Sequence, residues 1–351
     1  MPANDRMPCL WSRRSLLVAL TVGSMTALSG CRVRLEGDAP RTLTPPTPPA
    51  RRPMPDEQAL LTARRDAVRL RDQAAGLAGA ATETTELLTT ELLATVHGLQ
   101  ADVFESVLRS GGVPPAEIAG TPATTPPPPT TPPRTATAGS TAGAAAGGAT
   151  TAPGQGAPGV GELIAAEGGA LSAQALLVLA GISTERVALF GSMTAQRAAA
   201  VRLLGGRLPD GVPLTAPTGE LAAAQLEALR TAVYGFEVVV TQTDVSHRRA
   251  AGQTLGTLRT RSAELQLLAG PAAAPIPLGY ALPFPVSTPA AAQRLATHLM
   301  TALRASIASQ LPAVTGDAEG LTGTVQLLTD VCVHAVTWRV PLTAFPGLSE
   351  T

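Results

Sequence analysis

The sequence has little of several residue types that common functions depend on. Aromatic residues make up 3% of the 351 residues, which is poor material for base-stacking surfaces or sugar sites. Lysine is absent, and the 26 basic residues are all arginine and equal the 26 acidic residues in number. No basic stripe marks the chain, so the composition argues against a nucleic-acid partner.

Patterns that carry catalysis or bind metals are also missing. No Glu-x-x-His occurs, although a di-metal helical bundle needs that pair on two of its helices. The nearest match, Asp244-x-x-His247, falls at a predicted turn between helices. Asp330 and His334 are i, i+4 neighbours at the edge of a core stripe, and they are the remaining candidates for a metal site. The sequence therefore predicts no enzyme, no metal centre and no cofactor.

The first thirty residues have the parts of a bacterial lipoprotein signal peptide. A basic region precedes an apolar stretch over 16–28, which is shorter than the roughly 20 residues of a transmembrane helix. A four-residue lipobox then follows: Leu28, Ser29, Gly30 and Cys31. We expect the mature protein to begin at Cys31, which would carry two acyl chains and give a stable membrane anchor.

The basic region leaves the export route open. Arg13 and Arg14, with the apolar residues that follow them, resemble a twin-arginine motif, although the usual Phe is replaced by Leu16. Two arginines also serve as ordinary charge in a signal for the Sec pathway. Both routes lead to the outer face of the plasma membrane.

The cysteine content predicts a mature chain without an internal disulfide, although its compartment would be oxidising. Cys9 would leave with the leader and Cys31 would carry lipid, so Cys332 would be the single thiol of the mature chain. One thiol cannot form an internal disulfide. Cys332 lies in an apolar helical run, and we expect it to be a small core residue.

Composition divides the chain into helical parts and low-complexity parts. The Ala- and Leu-rich parts predict an all-α fold, and the Pro/Thr/Ala/Gly tracts cannot offset chain entropy by burial. The predicted segments are a signal peptide over 1–30, a Pro-rich tether over 31–55, a helical hairpin over 56–110, a disordered insertion over 111–159, a second hairpin over 160–205 that packs with the first, a four-helix bundle over 218–340 and an irregular tail over 341–351.

Apolar periodicity sets the predicted core faces. The first bundle helix repeats apolar residues at a 4-3-4-3-4 spacing, which is typical of a bundle seam: Ala222, Leu226, Leu229, Val233, Phe236 and Val240. In the first hairpin, the predicted stripe has a 4-4-3-4 spacing: Leu88, Leu92, Val96, Leu99 and Val103. His97 lies beside this stripe and is predicted to be a flank residue.

Several short stretches carry a resemblance to a known family. They are Tyr234-Gly235-Phe236, Tyr280-Ala281-Leu282-Pro283-Phe284-Pro285, Trp338 and Ala344-Phe345-Pro346-Gly347-Leu348. With them, residues 218–348 resemble the actinobacterial lipoprotein family that carries a C-terminal ferritin-like domain of unknown function. The resemblance implies a ferritin-like four-helix bundle and a place in the cell envelope, and it implies no activity.

Together these features predict a lipid-anchored envelope protein that is a non-catalytic binding or assembly module. Its partners would be the membrane, through Cys31, and an envelope protein or a small ligand. The alternative is a ferritin-like metal-binding or redox protein with non-standard ligands, which rests on the resemblance alone. The sequence leaves open whether the two helical regions pack together.

Overall fold

The computed structural model describes residues 51–80, 84–120, 159–208 and 219–349. Within these ranges every regular element is helical and no strand occurs, so the predicted all-α fold is confirmed. The signal peptide, its twin-arginine pair, the lipobox with Cys31, most of the tether and the centre of the insertion lie outside the described residues.

The described residues form ten α-helices joined by turns and by short 3-10 segments. Their bounds are α1 (Glu57–Ala78), α2 (Thr84–Ser110), α3 (Pro115–Ala119), α4 (Val160–Gly168), α5 (Ala173–Ala180), α6 (Thr184–Leu203), α7 (Gly219–Gln242), α8 (Val245–Ala269), α9 (Pro289–Ala308) and α10 (Ala318–Thr337). No single one of these helices has the length and apolarity of a membrane span. The stretch Val160–Leu171 and α5 together have the length and apolarity of a span, but a bend of 44° separates the two parts.

Helix starts follow the capping residues in the sequence. The Thr288 side chain accepts a hydrogen bond from the Ala291 amide, and Pro289 occupies the first turn of α9, where a missing N–H costs nothing. Asp317 caps α10 by accepting from the Gly320 amide at 3.0 Å. Local sequence is therefore sufficient to explain where these helices begin.

Packed structure extends past residue 110, where the sequence analysis places the start of the insertion. Val113 and Ile118 are both 3% exposed, and the short helix α3 carries the second of them. The Arg64 guanidinium donates a hydrogen bond to the Ile118 carbonyl at 2.9 Å. Two apolar side chains and this bond hold residues 111–120 against the α1–α2 hairpin.

Helix α6 lies at the centre of the protein. Residues 190–201 are buried without interruption, so neighbours cover every face of the helix. Its most extensive contact is with α10, followed by α4, and its contact with α2 is small. A single hydrophobic core runs from Leu60 on α1 to Leu342 beyond α10. The N-terminal and C-terminal helices therefore pack together, a point that the sequence leaves open.

The four C-terminal helices pack around the predicted seam. Helix α7 contacts α8 and α9, and α10 contacts α9 extensively and α8 slightly. Leu226, Leu229 and Phe236 are at most 1% exposed, while Val233 and Val240 are partly buried. The seam of α7 is thus buried as predicted, and α6 adds a fifth helix against α10.

The predicted core stripe of α2 is wrong in orientation. Val96 is 2% exposed as predicted, but Leu99 and Val103 are 48% and 36% exposed, whereas Leu93, Phe104 and Leu108 are at most 1% exposed. The buried face of α2 is rotated from the predicted face by about 100° around the helix axis, which is the angle between neighbouring residues. This rotation turns polar residues of α2 toward α4 and α6.

Candidate functional site

A cavity of about 800 Å³ separates α1 from α5 and α6. Small side chains on α1, Ala59 and Ala63, form one wall and leave the space open. Phe190 and Met193 of α6 form part of another wall, and Leu179 of α5 adds to it. The lining is mostly apolar, as is typical of small-molecule sites.

The cavity is elongated along α1. The α1 positions in its wall run from Gln58 to Arg69 on one face of the helix. At 1.5 Å per residue, these eleven steps correspond to a length of about 16 Å. Along α1 the wall combines polar and small apolar side chains, with Thr62 and Ala63 at the centre of the row and Asp66 and Arg69 toward one end.

Ion pairs occupy both ends of the cavity. At the start of α1, the Asp56 carboxylate accepts hydrogen bonds from the hydroxyl and the amide of Ser183, and Arg186 lies 3.4 Å away. About three turns along α1, Arg69 and Asp66 approach to 3.2 Å on the protein surface. The charges therefore balance locally, and neither end carries a strong net charge.

Arg197 joins the cavity wall to a buried polar network. It is 6% exposed, its Nε donates to a Glu167 carboxylate oxygen at 3.2 Å, and its Nη2 donates to the Ala166 carbonyl at 2.6 Å. The other Glu167 oxygen lies 2.6 Å from His97 Nε2, and both of these side chains are fully buried. The sequence prediction that His97 is a flank residue is therefore wrong.

The hydrogen bonds of Gln100 determine which ring nitrogen of His97 carries a hydrogen. Gln100 Nε2 donates to the Gln196 side-chain oxygen and to the Ala344 carbonyl, both at 2.8 Å, so its own side-chain oxygen must face His97 Nδ1. Nδ1 therefore carries a hydrogen and donates it. One further proton must lie between His97 Nε2 and Glu167, since the two atoms are 2.6 Å apart.

The network connects four distant segments of the chain. His97 and Gln100 come from α2, Glu167 from α4, Arg197 from α6, and the Ala344 carbonyl from the C-terminal tail. Gln196 Nε2 is buried without a hydrogen-bond partner among the described residues. The network holds Arg197 in place beside the cavity and links the cavity to the rest of the core.

The sequence analysis does not predict this network, although two isolated charges in apolar segments indicate it weakly. Glu167 is a lone charge within the apolar run Leu163–Leu171, and Arg197 is a lone charge before Ala198, Ala199 and Ala200. Charged residues are almost never fully buried unless they are paired, and a single charge in such a run is the mark of a buried pair.

The two candidate metal ligands on α10 have other partners. Asp330 lies between two guanidinium groups: it forms an ion pair with Arg202 of α6 and accepts from Arg261 Nε at 2.8 Å. His334 Nδ1 is 3.4 Å from the Thr254 hydroxyl, and burial lowers the pKa of His334. Within the described ranges, no group of three or more His, Cys, Asp or Glu side chains is placed to hold a metal ion.

The Asp244-x-x-His247 pattern has a capping geometry. The Asp244 carboxylate accepts hydrogen bonds from the His247 amide at 2.9 Å and from its ring nitrogen at 2.8 Å, at the start of α8. Bonds from Ser246 and His247 hold the pKa of Asp244 at about 2. On α10, Cys332 is buried among apolar side chains, and burial raises the pKa of its thiol to about 12.

A second, smaller cavity of about 380 Å³ lies between α7, α8 and the Pro-rich connector that follows α8. Tyr234 and Tyr280, which belong to the stretches that carry the family resemblance, meet there with ring centroids 5.7 Å apart. Ile276 and Leu278 at its rim are strongly exposed. Its size is at the lower end of small-molecule sites.

The fold and the larger cavity define an all-helical protein with a binding space that is open to solvent on one side. Residues 221–350, which span α7 to α10 and the tail, match the family described as a domain of unknown function (DUF4439). No curated protein matches the chain, and no solved structure matches it. The wall of the larger cavity lies entirely before residue 221, so the matching family does not include it.

Proposed function

We propose that this protein is a non-catalytic binding protein whose ligand occupies the cavity between α1, α5 and α6. The observation that carries the proposal is the cavity itself, whose volume of about 800 Å³ is typical of sites for small organic ligands. The apolar part of its wall would supply affinity by burial, and the polar side chains of the wall would set the orientation of the ligand.

The chemistry of the wall supports binding without catalysis. The described residues of the wall include no histidine and no cysteine. The hydroxyl of Thr194 donates to the Phe190 carbonyl at 2.8 Å, and the Asp56, Asp66 and Arg197 side chains already take part in ion pairs. Asp56 does accept a hydrogen bond from the Ser183 hydroxyl, but Arg186 also pairs with this carboxylate and Ser183 is not part of the wall.

The proposal places the protein at the outer face of the plasma membrane. The lipobox that ends at Cys31 supports a diacyl anchor, and the resemblance of residues 218–348 to actinobacterial lipoproteins supports an envelope location. The same resemblance supports a ferritin-like arrangement for α7–α10. In this arrangement the C-terminal helices are the scaffold, and α1, α5 and α6 form the binding site.

Filling the cavity is expected to abolish ligand binding. Ala175 lines the cavity on α5, and an Ala175→Trp change places an indole in that space. We expect native mass spectrometry of the full chain, purified from its own membranes, to show a bound small molecule that the variant lacks. Occupancy should fall about tenfold or more, since an indole has the bulk to replace much of a small ligand.

Ala173→Trp is the matched control for this measurement. Ala173 is exposed, lies on the same helix and does not line the cavity, so this variant should bind like the wild type. A wild-type chain that carries no bound molecule would contradict the proposed function. Equal occupancy in the two tryptophan variants would place the ligand elsewhere.

The lipid anchor predicts a separate result. A Cys31→Ala change should move the protein from the membrane fraction to the soluble fraction, because the thiol that would receive the lipid is gone. Fractionation of cells followed by immunoblotting measures this, with Cys332→Ala as a control that should stay on the membrane. Retention of the Cys31→Ala protein on the membrane would remove the argument for the anchor.

A further inference from the structure

We infer that the ligand of this cavity is an anionic membrane phospholipid, whose acyl chain reaches the cavity from the bilayer past α5. This inference rests on the proposed function and adds the chemical class of the ligand and its route. Four observations carry it: where the chain enters the fold, the apolar surface of α5, the shape of the cavity and the position of Arg69.

The cavity lies where the chain from Cys31 enters the folded structure. Asp56, the residue before α1, lines one end of the cavity. Cys31 and Asp56 are 25 positions apart in the sequence (56 − 31), so an anchored chain keeps this end within at most about 90 Å of the bilayer. A protein attached at this point can bring the cavity to the membrane surface.

Some apolar side chains of α5 face the outside of the protein and others line the cavity. Leu177 is 60% exposed and Val178 is 53% exposed. Val178 also lines the cavity, so apolar surface continues from the outside of the protein into its interior. An acyl chain that moves along this surface stays in contact with apolar groups, and that continuity lowers the cost of leaving the bilayer.

The dimensions and the polarity of the cavity suit a lipid. The row of α1 side chains in the wall extends over about 16 Å, and the apolar groups beside it, which include Leu179, Ile182 and Met193, would contact an extended hydrocarbon chain. The ionic ends would keep a head group near water. A flat or strongly polar ligand would leave most of the apolar wall without a partner.

Arg69 is placed to bind the head group. Its guanidinium is exposed at the cavity, and its present bonds to Asp66 and Gln73 are long, at 3.2 and 3.3 Å. Exposed pairs of this kind are weak, so a phosphate can compete for the guanidinium with charge-assisted hydrogen bonds. An anionic head at Arg69 would leave the acyl chain to extend toward Asp56.

The test uses the anchored full chain reconstituted in vesicles of phosphatidylglycerol with a trace of phosphatidylglycerol that bears a pyrene-labelled acyl chain. We expect phosphatidylglycerol, counted as labelled and unlabelled lipid together, to co-purify with the wild-type protein in about a one-to-one ratio. Arg69→Gln should weaken this binding by roughly tenfold, since one charge-assisted contact is lost. The matched control is Arg65→Gln, an exposed arginine of α1 that does not line the cavity.

A second variant tests the route past α5. Leu177→Gln should slow uptake of the labelled lipid several-fold, because the apolar path is interrupted while the wall of the cavity is unchanged. Leu99→Gln is its control, since Leu99 is 48% exposed on α2 and is not part of the cavity. Equal rates for the two glutamine variants would overturn the proposed route.

The outcomes separate this inference from the proposed function. A phospholipid bound in the wild type and lost in Arg69→Gln supports both. A free fatty acid or a water-soluble molecule in the cavity, with no bound phospholipid, overturns the inference and leaves the binding function intact. No bound molecule from native membranes and no uptake of labelled lipid overturns both.

Discussion

Replacing Glu167 with alanine is expected to destabilise the folded protein by about 3–5 kcal/mol, the usual cost of removing one partner from a buried ion pair. Glu167 lies between His97 and Arg197, and its side chain has no solvent-accessible surface. Without it, the Arg197 guanidinium keeps only its hydrogen bond to the Ala166 carbonyl within the described contacts. The His97 ring loses its partner at Nε2 as well.

Chemical unfolding of the full chain in urea measures this effect, and two further variants show its cause. Glu237→Ala removes a carboxylate from an exposed ion pair with Arg259, so its cost should be at most about 1 kcal/mol. Adding Arg197→Met to Glu167→Ala removes the unpaired guanidinium and should recover about 1–2 kcal/mol. A Glu167→Ala cost equal to that of Glu237→Ala would mean that the buried network contributes no net stability.

Local periodicity is sufficient to predict a core face when the buried positions of the helix are all apolar. On α9, Leu295, Leu303 and Ile307 follow the helical period, and each is at most 3% exposed. The other buried positions of α9 are apolar as well. The Cys332 position on α10 was also predicted from periodicity.

Helix α6 could not be predicted in this way because its partners are remote in the sequence. Ser192, Gln196 and Arg197 are polar, and periodicity alone assigns such residues to a solvent-exposed face. Their partners come from elsewhere: Ser192 donates to the Pro346 carbonyl at 2.7 Å, and Arg197 pairs with Glu167. When the hydrogen-bond partner of a buried polar residue is 154 positions away, the sequence around that residue contains no pattern that predicts its burial.

The same physics explains the errors on α2 and the missed cavity. Leu99 fits the predicted stripe better than His97 does, yet Glu167 and Gln100 pair with His97 and make its burial favourable. The cavity depends on Ala59 and Ala63, and alanines on a helix face are equally compatible with close packing. Only the positions of α5 and α6 leave the space beside them open.

Removing residues 343–351 is expected to cost about 4–8 kcal/mol of folding free energy, most of the stability of an ordinary domain. The sequence predicts an irregular tail here, and the described part up to residue 349 has no helix, yet it is anchored. The Ala344 carbonyl accepts from Gln100, and the Pro346 carbonyl accepts from Ser192. The ring of Phe345 meets Phe104 edge to face, with centroids 5.8 Å apart.

The expected cost follows from these three contacts. Loss of the Pro346 carbonyl leaves the buried Ser192 hydroxyl without an acceptor, and loss of the Ala344 carbonyl removes one of the two acceptors of Gln100. Each such loss costs about 1–3 kcal/mol. Loss of the partly buried Phe345 ring adds part of the about 1.5–3 kcal/mol that full burial of such a side chain contributes.

Thermal and urea unfolding of the full chain and of the truncated chain measure the difference. Removal of residues 350–351 alone is the control, and it should change stability by less than about 0.5 kcal/mol, since it deletes none of these contacts. Because the tail reaches α2 and α6 through Gln100 and Ser192, its loss should also loosen the Arg197 side of the cavity and reduce ligand occupancy. Full occupancy in a destabilised truncated chain would show that the tail stabilises the core independently of the binding site.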